Sequence, residues 1–212
     1  MTNFIPIFPL QIVVFPDEEL NLHIFEPQYK QLVNECFQHK KPFGIPSVIN
    51  NEMKEFGSLI YIKEIAKTYT NGEMDIRTIA GSVFKVLEVI KNIPDKLFSG
   101  AIVSYPDNEM QGNSLVMQEL IRKMKMLHNS LQIKKDFRKT EEALNTYDIA
   151  HHSGLSLTQE YELLQLTTER HRQEYLKRHF DEVLPSFEEI RQLREKIQMN
   201  GHFKNISGFE LK

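Results

Sequence analysis

Cys36 and His39 lie three residues apart in the sequence, a spacing at which a thiolate and an imidazole on one helix can form a nucleophile–base pair. Cys36, however, falls on an apolar stripe, and a buried cysteine behaves as a small inert hydrophobe, so the structural reading is preferred. His151-His152 and the pair His171 and His179 raise metal ligation instead. Adjacent histidines on a helix point about 100° apart and a pair eight apart is separated by more than about two turns, so neither spacing holds one ion. The chain has no Cys-x-x-Cys, no His-Glu-x-x-His and no G-x-x-x-x-G-K-[ST] phosphate loop. No metal, no cofactor and no catalytic residues are therefore expected. His23, between Leu22 and Ile24, reads as a satisfied structural histidine. The basic residues Arg122, Lys123, Lys125, Lys134, Lys135, Arg138 and Lys139 read mostly as a solvated face, because one such patch in a net acidic chain attracts polyanions weakly at physiological salt.

The elements around these residues begin with dense punctuation: Phe8-Pro9-Leu10, Phe15-Pro16-Asp17, then Leu22-His23-Ile24-Phe25-Glu26-Pro27-Gln28-Tyr29. Each proline fixes its own φ and pushes the preceding residue towards extended geometry, so Phe8, Phe15 and Glu26 are expected to be non-helical. Pro27 suits a first helical position, where a missing N–H costs nothing. From Tyr29 the apolar residues Tyr29, Leu32, Val33, Cys36 and Phe37 follow an amphipathic helical stripe to about Gln38. That face is expected to be buried, and so is Phe25 just ahead of it.

This order of residues resembles the amino-terminal, substrate-binding domain of the Lon proteases. The family opens with a proline-leucine strand, a phenylalanine-proline turn and a leucine-histidine-isoleucine-phenylalanine-glutamate-proline-arginine-tyrosine signature. Gln28 stands where the family carries arginine, which reduces any ion pair with Glu26 to a neutral hydrogen bond. A second block agrees: Phe43-Gly44-Ile45, Phe56-Gly57-Ser58-Leu59-Ile60, Asn71-Gly72 and Gly81-Ser82-Val83-Phe84-Lys85-Val86, with Val83 where a basic residue is usual. The resemblance implies an α+β fold, a PUA-like β pseudo-barrel with one early helix followed by a carboxyl-terminal helical bundle. It also implies a non-catalytic module that engages polypeptides or partner proteins, with a role in protein quality control. Phe15, Pro16, His23, Phe25, Glu26, Pro27 and Tyr29 would be its signature residues, structural or binding. With no phosphate loop and 212 residues, the chain reads as a stand-alone form without the ATPase and peptidase parts.

Composition agrees with a protein-binding role. Residues 1–109 carry 10 Lys/Arg against 14 Asp/Glu, net −4, and residues 110–212 carry 16 against 15, net +1. Neither half is basic enough to predict nucleic-acid binding. One cysteine makes no internal disulfide, the amino terminus lacks a basic segment followed by an apolar core, and no run reaches the ~18 apolar residues of a membrane span. A reducing cytosol is the expected compartment.

The period then changes along the chain. Leu59–Tyr69 and Met74–Ala80 flank Asn71-Gly72 as a hairpin, with further strands over Val83–Ile90 and Gly100–Val103. After Pro106 the pattern turns helical: a helix through Met117, Leu120, Ile121, Met124 and Leu127, a second over Thr146–His152 closed at Ser153-Gly154, and a third opened by the capping box Ser156-Leu157-Thr158-Gln159. A fourth, capped by Thr167 or Thr168, runs to about Val183. Pro185 is expected to restart a helix with Phe187, Ile190, Leu193 and Ile197 inward and Asn200-Gly201 as its stop. The organisation is a β domain over 1–108, a helical bundle over 109–200 and a tail over 201–212 that covers core residues, lies in the cleft between the two or engages a partner as a short extended peptide. Two further functional readings are a nucleic-acid-binding PUA-like protein, opposed by the charge of the β half, and a small hydrolase with a site scattered in sequence.

Overall fold

The computed structural model describes residues 2–202, with side chains described through Ser186 and at Gln192. The β part comprises β1 (Thr2–Pro6), β2 (Glu19–Ile24), β3 (Phe43–Ile49), β4 (Glu52–Thr68), β5 (Met74–Ile90) and β6 (Gly100–Ser104), with helix α1 (Pro27–His39) between β2 and β3. All strand pairs of the six-stranded sheet are antiparallel, in the order β1-β6-β5-β4-β3, and β2 pairs with β5 outside that path. The chain just after β1 closes the ring. Ile7 and Leu10 bridge in parallel to Gly44 and Ser47 of β3, and the Phe8 N–H donates to the Gly44 carbonyl at 2.8 Å. The expected pseudo-barrel is therefore present.

The Asn71-Gly72 hairpin forms between β4 and β5, but only Gly72 takes a positive φ, +78°. Asn71 acts through its side chain instead, whose Oδ1 accepts from the Glu73 N–H at 3.1 Å. Met74–Ala80 and Val83–Ile90, expected as two strands, are the single 17-residue β5. Gly81 continues that strand because the Tyr61 ring lies over it: a Cβ there would come within 2.6 Å of Tyr61 Cε2. The aromatic supplies the packing that glycine lacks.

The helical part follows a linker over 105–113: α2 (Ser114–Leu131), α3 (Thr146–Ala150), α4 (Leu157–Gln165) and α5 (Glu169–His202). Asn113 caps α2 through its side chain, and both Asn145 and Ser156 form reciprocal capping boxes at α3 and α4. The second helix is shorter than its sequence pattern, ending at Ala150 with Gly154 at φ +76°. The break expected at Pro185 and the stop at Asn200-Gly201 are both absent, since α5 runs through them to His202. A proline inside a long helix forfeits one N–H bond four residues back and bends rather than ends it when flanking turns are in place. The inward packing expected of Phe187, Ile190, Leu193 and Ile197, and residues 203–212 of the tail, lie outside the described residues.

Two buried clusters belong to the β part: Ile5, Ile7, Leu59, Phe84, Ala101 and Val103 in one, and Ile24, Leu32, Val33, Cys36, Phe43 and Ile60 beneath α1 in the other. The third joins the parts, with Val13, Phe15, Ile49 and Val83 from the β side against Leu120, Met124, Tyr147, Leu164, Leu176 and Phe180 from the helices. All five apolar residues expected on the face of α2 are buried there. The helices thus complete a core that the barrel begins.

Candidate functional site

The signature residues divide among three places. Phe15 and Pro16 lie where the barrel meets the helices. Phe15 is 1% exposed, its ring stacks on Tyr147 at 5.2 Å and lies 4.8 Å from the ring of His151. Its N–H donates to Glu18 Oε2 at 2.9 Å, and Glu18 in turn meets His151 Nε2 at 3.1 Å. His151 Nδ1 reaches Glu160 at 2.8 Å, so one imidazole ties the β1–β2 loop to α4. Desolvation, the largest single influence, favours the neutral ring, but the bonds and charges of Glu160 and Glu18 together outweigh it and raise His151 to about 9. Its neighbour His152 is driven the other way, to about 4, by desolvation and then by the nearby Lys135 and His151 charges. A cleft of ≈ 450 Å³ runs along this junction, with Phe15, Glu18, Arg138, Tyr147 and His151 among its walls.

His23 and Phe25 form the second place, on the outer surface. Leu20, Leu22 and Ile24 of β2 face inward, so the strand's period of two turns Asn21, His23 and Phe25 outward. Phe25 is 58% exposed, contrary to the expected burial; the strand phase persists through it before Pro27 starts the helix. His23 Nδ1 meets Asp75 at 2.7 Å and Nε2 meets Glu73 at 3.3 Å. The hydrogen bond that His23 donates to Asp75 is the main cause of a raised His23 pKa, and the same bond, with one from the Tyr69 hydroxyl, lowers that of Asp75. The His23 ring lies 6.2 Å from Phe25 and 5.7 Å from Tyr69. The result is an exposed aromatic cluster held from behind by carboxylates.

Glu26, Pro27 and Tyr29 form the third place, the entry to α1. Glu26 is the extended N-cap and Pro27 the first helical residue. Gln28 Nε2 donates to Glu26 Oε2 at 2.7 Å, the neutral-donor bond expected where the family has arginine. Tyr29 stacks on Phe8 at 3.8 Å, and partial burial raises its pKa. Leu32, Val33 and Cys36 are buried as expected, but Phe37 is 43% exposed. It sits about 90° from the centre of the arc defined by its four stripe-mates, at the flank of the buried face. Burial pushes the Cys36 thiol up to about 12, so it is a poor nucleophile.

The remaining candidates are structural. His179 Nε2 meets the Ser153 carbonyl at 2.9 Å and His128 Nε2 meets that of His152 at 2.7 Å. No group of three or more His, Cys, Asp or Glu among the described residues is placed to hold a metal ion. The basic cluster is less free than expected. Lys123 is buried between α2 and α5 against Glu119 and Asp181, while Lys125, Arg138 and Lys139 pair with Glu141, Glu19 and Asp148.

Sequence reasoning missed Arg172, which is fully buried. Its guanidinium donates to Glu169 at 3.0 Å, Asn108 at 2.8 Å and the carbonyls of Leu166 at 2.6 Å and Glu109 at 2.8 Å, beneath the Tyr147 ring. Glu169 also accepts from the Thr146 N–H and hydroxyl. This network clasps the 105–113 linker to α3 and α5, and its only trace in the sequence is a Glu-x-x-Arg spacing.

The scaffold matches known ones. The crystal structure of a Lon N-terminal domain protein from Xanthomonas campestris superposes with a TM-score of 0.62 at 23% identity, over 82% of this chain and 96% of the other. The N-terminal domain of the Mycobacterium avium complex Lon protease gives 0.61 at 13% identity, over 85% and 100%. A family model of the ATP-dependent protease La (LON) substrate-binding domain matches residues 5–200. The chain therefore belongs to the family of LON substrate-binding domains.

Proposed function

We propose that this chain is a cytosolic polypeptide-recognition module, acting in protein quality control, whose contribution is binding rather than catalysis. Residues 1–108 act as the binding scaffold in this reading, and residues 109–200 brace it. The observation that carries it is the exposed Phe25, set beside His23 and Tyr69 at the end of β2. Recognition of partly folded protein needs apolar surface presented by a scaffold that does not itself collapse over it. A large aromatic held in water by strand phase meets that requirement. The net charge of −4 over residues 1–109 disfavours recruitment of polyanions.

The test is capture of a reduced, unfolded model protein by the full chain at low salt and at ~0.3 M salt, above the point at which a Debye length falls below ~8 Å. Capture that persists at high salt and falls several-fold in Phe25→Asp supports the reading. Capture that vanishes at high salt and is competed by single-stranded nucleic acid favours the polyanion-binding alternative. Absence of capture under every condition rejects it.

A further inference from the structure

An unpaired strand edge and a basic groove meet on one side of the barrel. The β3–β4 ladder stops at Phe43–Ile60, whereas β4 and β5 stay paired as far as Thr68–Met74. Among the described residues, β4 is therefore bonded on one side only from Tyr61 to Thr68. Tyr61, Lys63, Glu64, Ala66, Lys67 and Thr68 are exposed along it. Eight residues at about 3.4 Å each present roughly 27 Å of backbone edge, a template for another extended chain. At the Tyr61 end the edge opens into a groove of ≈ 550 Å³ whose walls include Phe37, Lys40, Lys41, Tyr61, Ile62 and Lys63. At the other end it runs into Tyr69, which shares Asp75 with His23 in the aromatic cluster.

Charge and backbone geometry together select the occupant. Lys40 and Lys41 are exposed and have no ion-pair partner among the described residues, and Lys40 keeps its side chain at a left-handed C-cap, φ +52°, where glycine is the unstrained choice. Lys63 shares Glu19 with Arg138, Lys67 lies 4.3 Å from the Tyr69 ring centre, and Glu64 is held by Arg77 across the ladder. The edge is thus locally positive within a half that is acidic overall. A second copy docking the same edge sets lysines against lysines, and the register shifts at Ile62/Glu64 and Ile65/Lys67 twist the edge out of the flat form that self-pairs. A polynucleotide answers the lysines but brings no amide ladder. A polypeptide carrying both carboxylates and apolar residues answers all three: backbone to the edge, carboxylates to the ammonium groups of Lys40, Lys41 and Lys63, and apolar side chains to Phe37 and Tyr61 in the same groove.

We propose that the Tyr61–Thr68 edge, with the groove at its end, takes an extended acidic and apolar polypeptide segment as an added strand. This rests on the polypeptide-recognition reading above and specifies its substrate class and mode of binding.

The test uses the full chain and a fluorescent ten-residue peptide alternating glutamate with valine and phenylalanine, read by anisotropy. Strand addition predicts binding that weakens about tenfold or more when alternate peptide amides are N-methylated, since the ladder bonds are the affinity of such complexes. A lysine-for-glutamate peptide is expected to bind the native chain at least about tenfold more weakly, and Lys40→Glu with Lys41→Glu to reverse that preference, as like charges replace opposite ones. Both lysines are exposed, so an unchanged melting temperature verifies the fold of the double variant. Equal binding of the methylated peptide, or a preference unaltered by the double variant, overturns the proposal. So does a lysine-dependent affinity for oligothymidylate equal to that for the acidic peptide, or saturation of the edge by a second copy in sedimentation. Unfolded protein captured normally with no acidic peptide bound would sink this proposal and leave the recognition function standing; failure of both rejects the two together.

Discussion

Replacing Arg172 by methionine keeps much of its length and apolar stem but removes every donor of the guanidinium. The native group serves the Glu169 carboxylate, the Asn108 side chain and the Leu166 and Glu109 carbonyls without contact with water. Glu169 retains the Thr146 N–H at 2.8 Å and hydroxyl at 2.6 Å, but its charge loses the only cation bonded to it among the described residues. Breaking a buried pair by removing one partner costs about 3–5 kcal/mol, in line with ~1–3 kcal/mol for each buried acceptor left unpaired. For a chain of this size that is roughly 6–20 °C in melting temperature, at ~2–4 °C per kcal/mol. Arg172→Lys should recover less than half of it, because a lysine has three donors for four acceptors and no planar fork. Urea denaturation followed by circular dichroism measures these values. Combining Arg172→Met with Glu169→Gln should cost less than the sum of the two by about 1–3 kcal/mol, because the second change removes the stranded charge. An Arg172→Met chain within ~1 kcal/mol of the parent, or strict additivity of the pair, would refute the clasp.

Phe15→Ala should cost ~3–5 kcal/mol through lost transfer energy and a cavity at the junction, whereas Phe25→Ala, at an exposed site, should stay within ~1 kcal/mol; equal effects in chemical denaturation would count against the two placements. Residues 1–108 expressed alone should melt lower than the full chain or aggregate, because Val13, Phe15, Ile49 and Val83 lose their helical partners; equal melting temperatures would show the parts to be uncoupled. Stability should peak near pH 6.5. His151, raised to about 9, contributes fully below ~6.5 and progressively less as the pH rises towards 9, while His152, lowered to about 4, disfavours the folded state as the pH falls from ~6.5. Each limb is on the order of 1–2 kcal/mol after allowance for partial exposure. His151→Asn should flatten the alkaline limb, and a parent chain that gains stability from pH 6.5 to 9 would contradict the assignment.

Much of this molecule is local and was legible in the chain. Pro27 as a first helical residue, the inward stripe of α1 at Leu32, Val33 and Cys36, the capping box at Ser156 and the five-residue face of α2 all depend on neighbours within one or two turns. The signature from Phe15 to Tyr29 carried the family and with it the barrel. Tertiary structure decided what propensity does not encode. Phe25 is exposed because β2 continues its phase for one residue, and Phe37 lies open on the wall of a groove it shares with Tyr61 and Lys63 of β4. Gly81 remains in a strand because Tyr61, twenty residues away, covers it, and Lys123 is buried because α5 brings Asp181 to it. Arg172 resembles a surface residue in sequence; only the return of the 105–113 linker across α5 encloses it. The unpaired edge of β4 follows from where another strand stops, a property of the pairing and not of β4 itself.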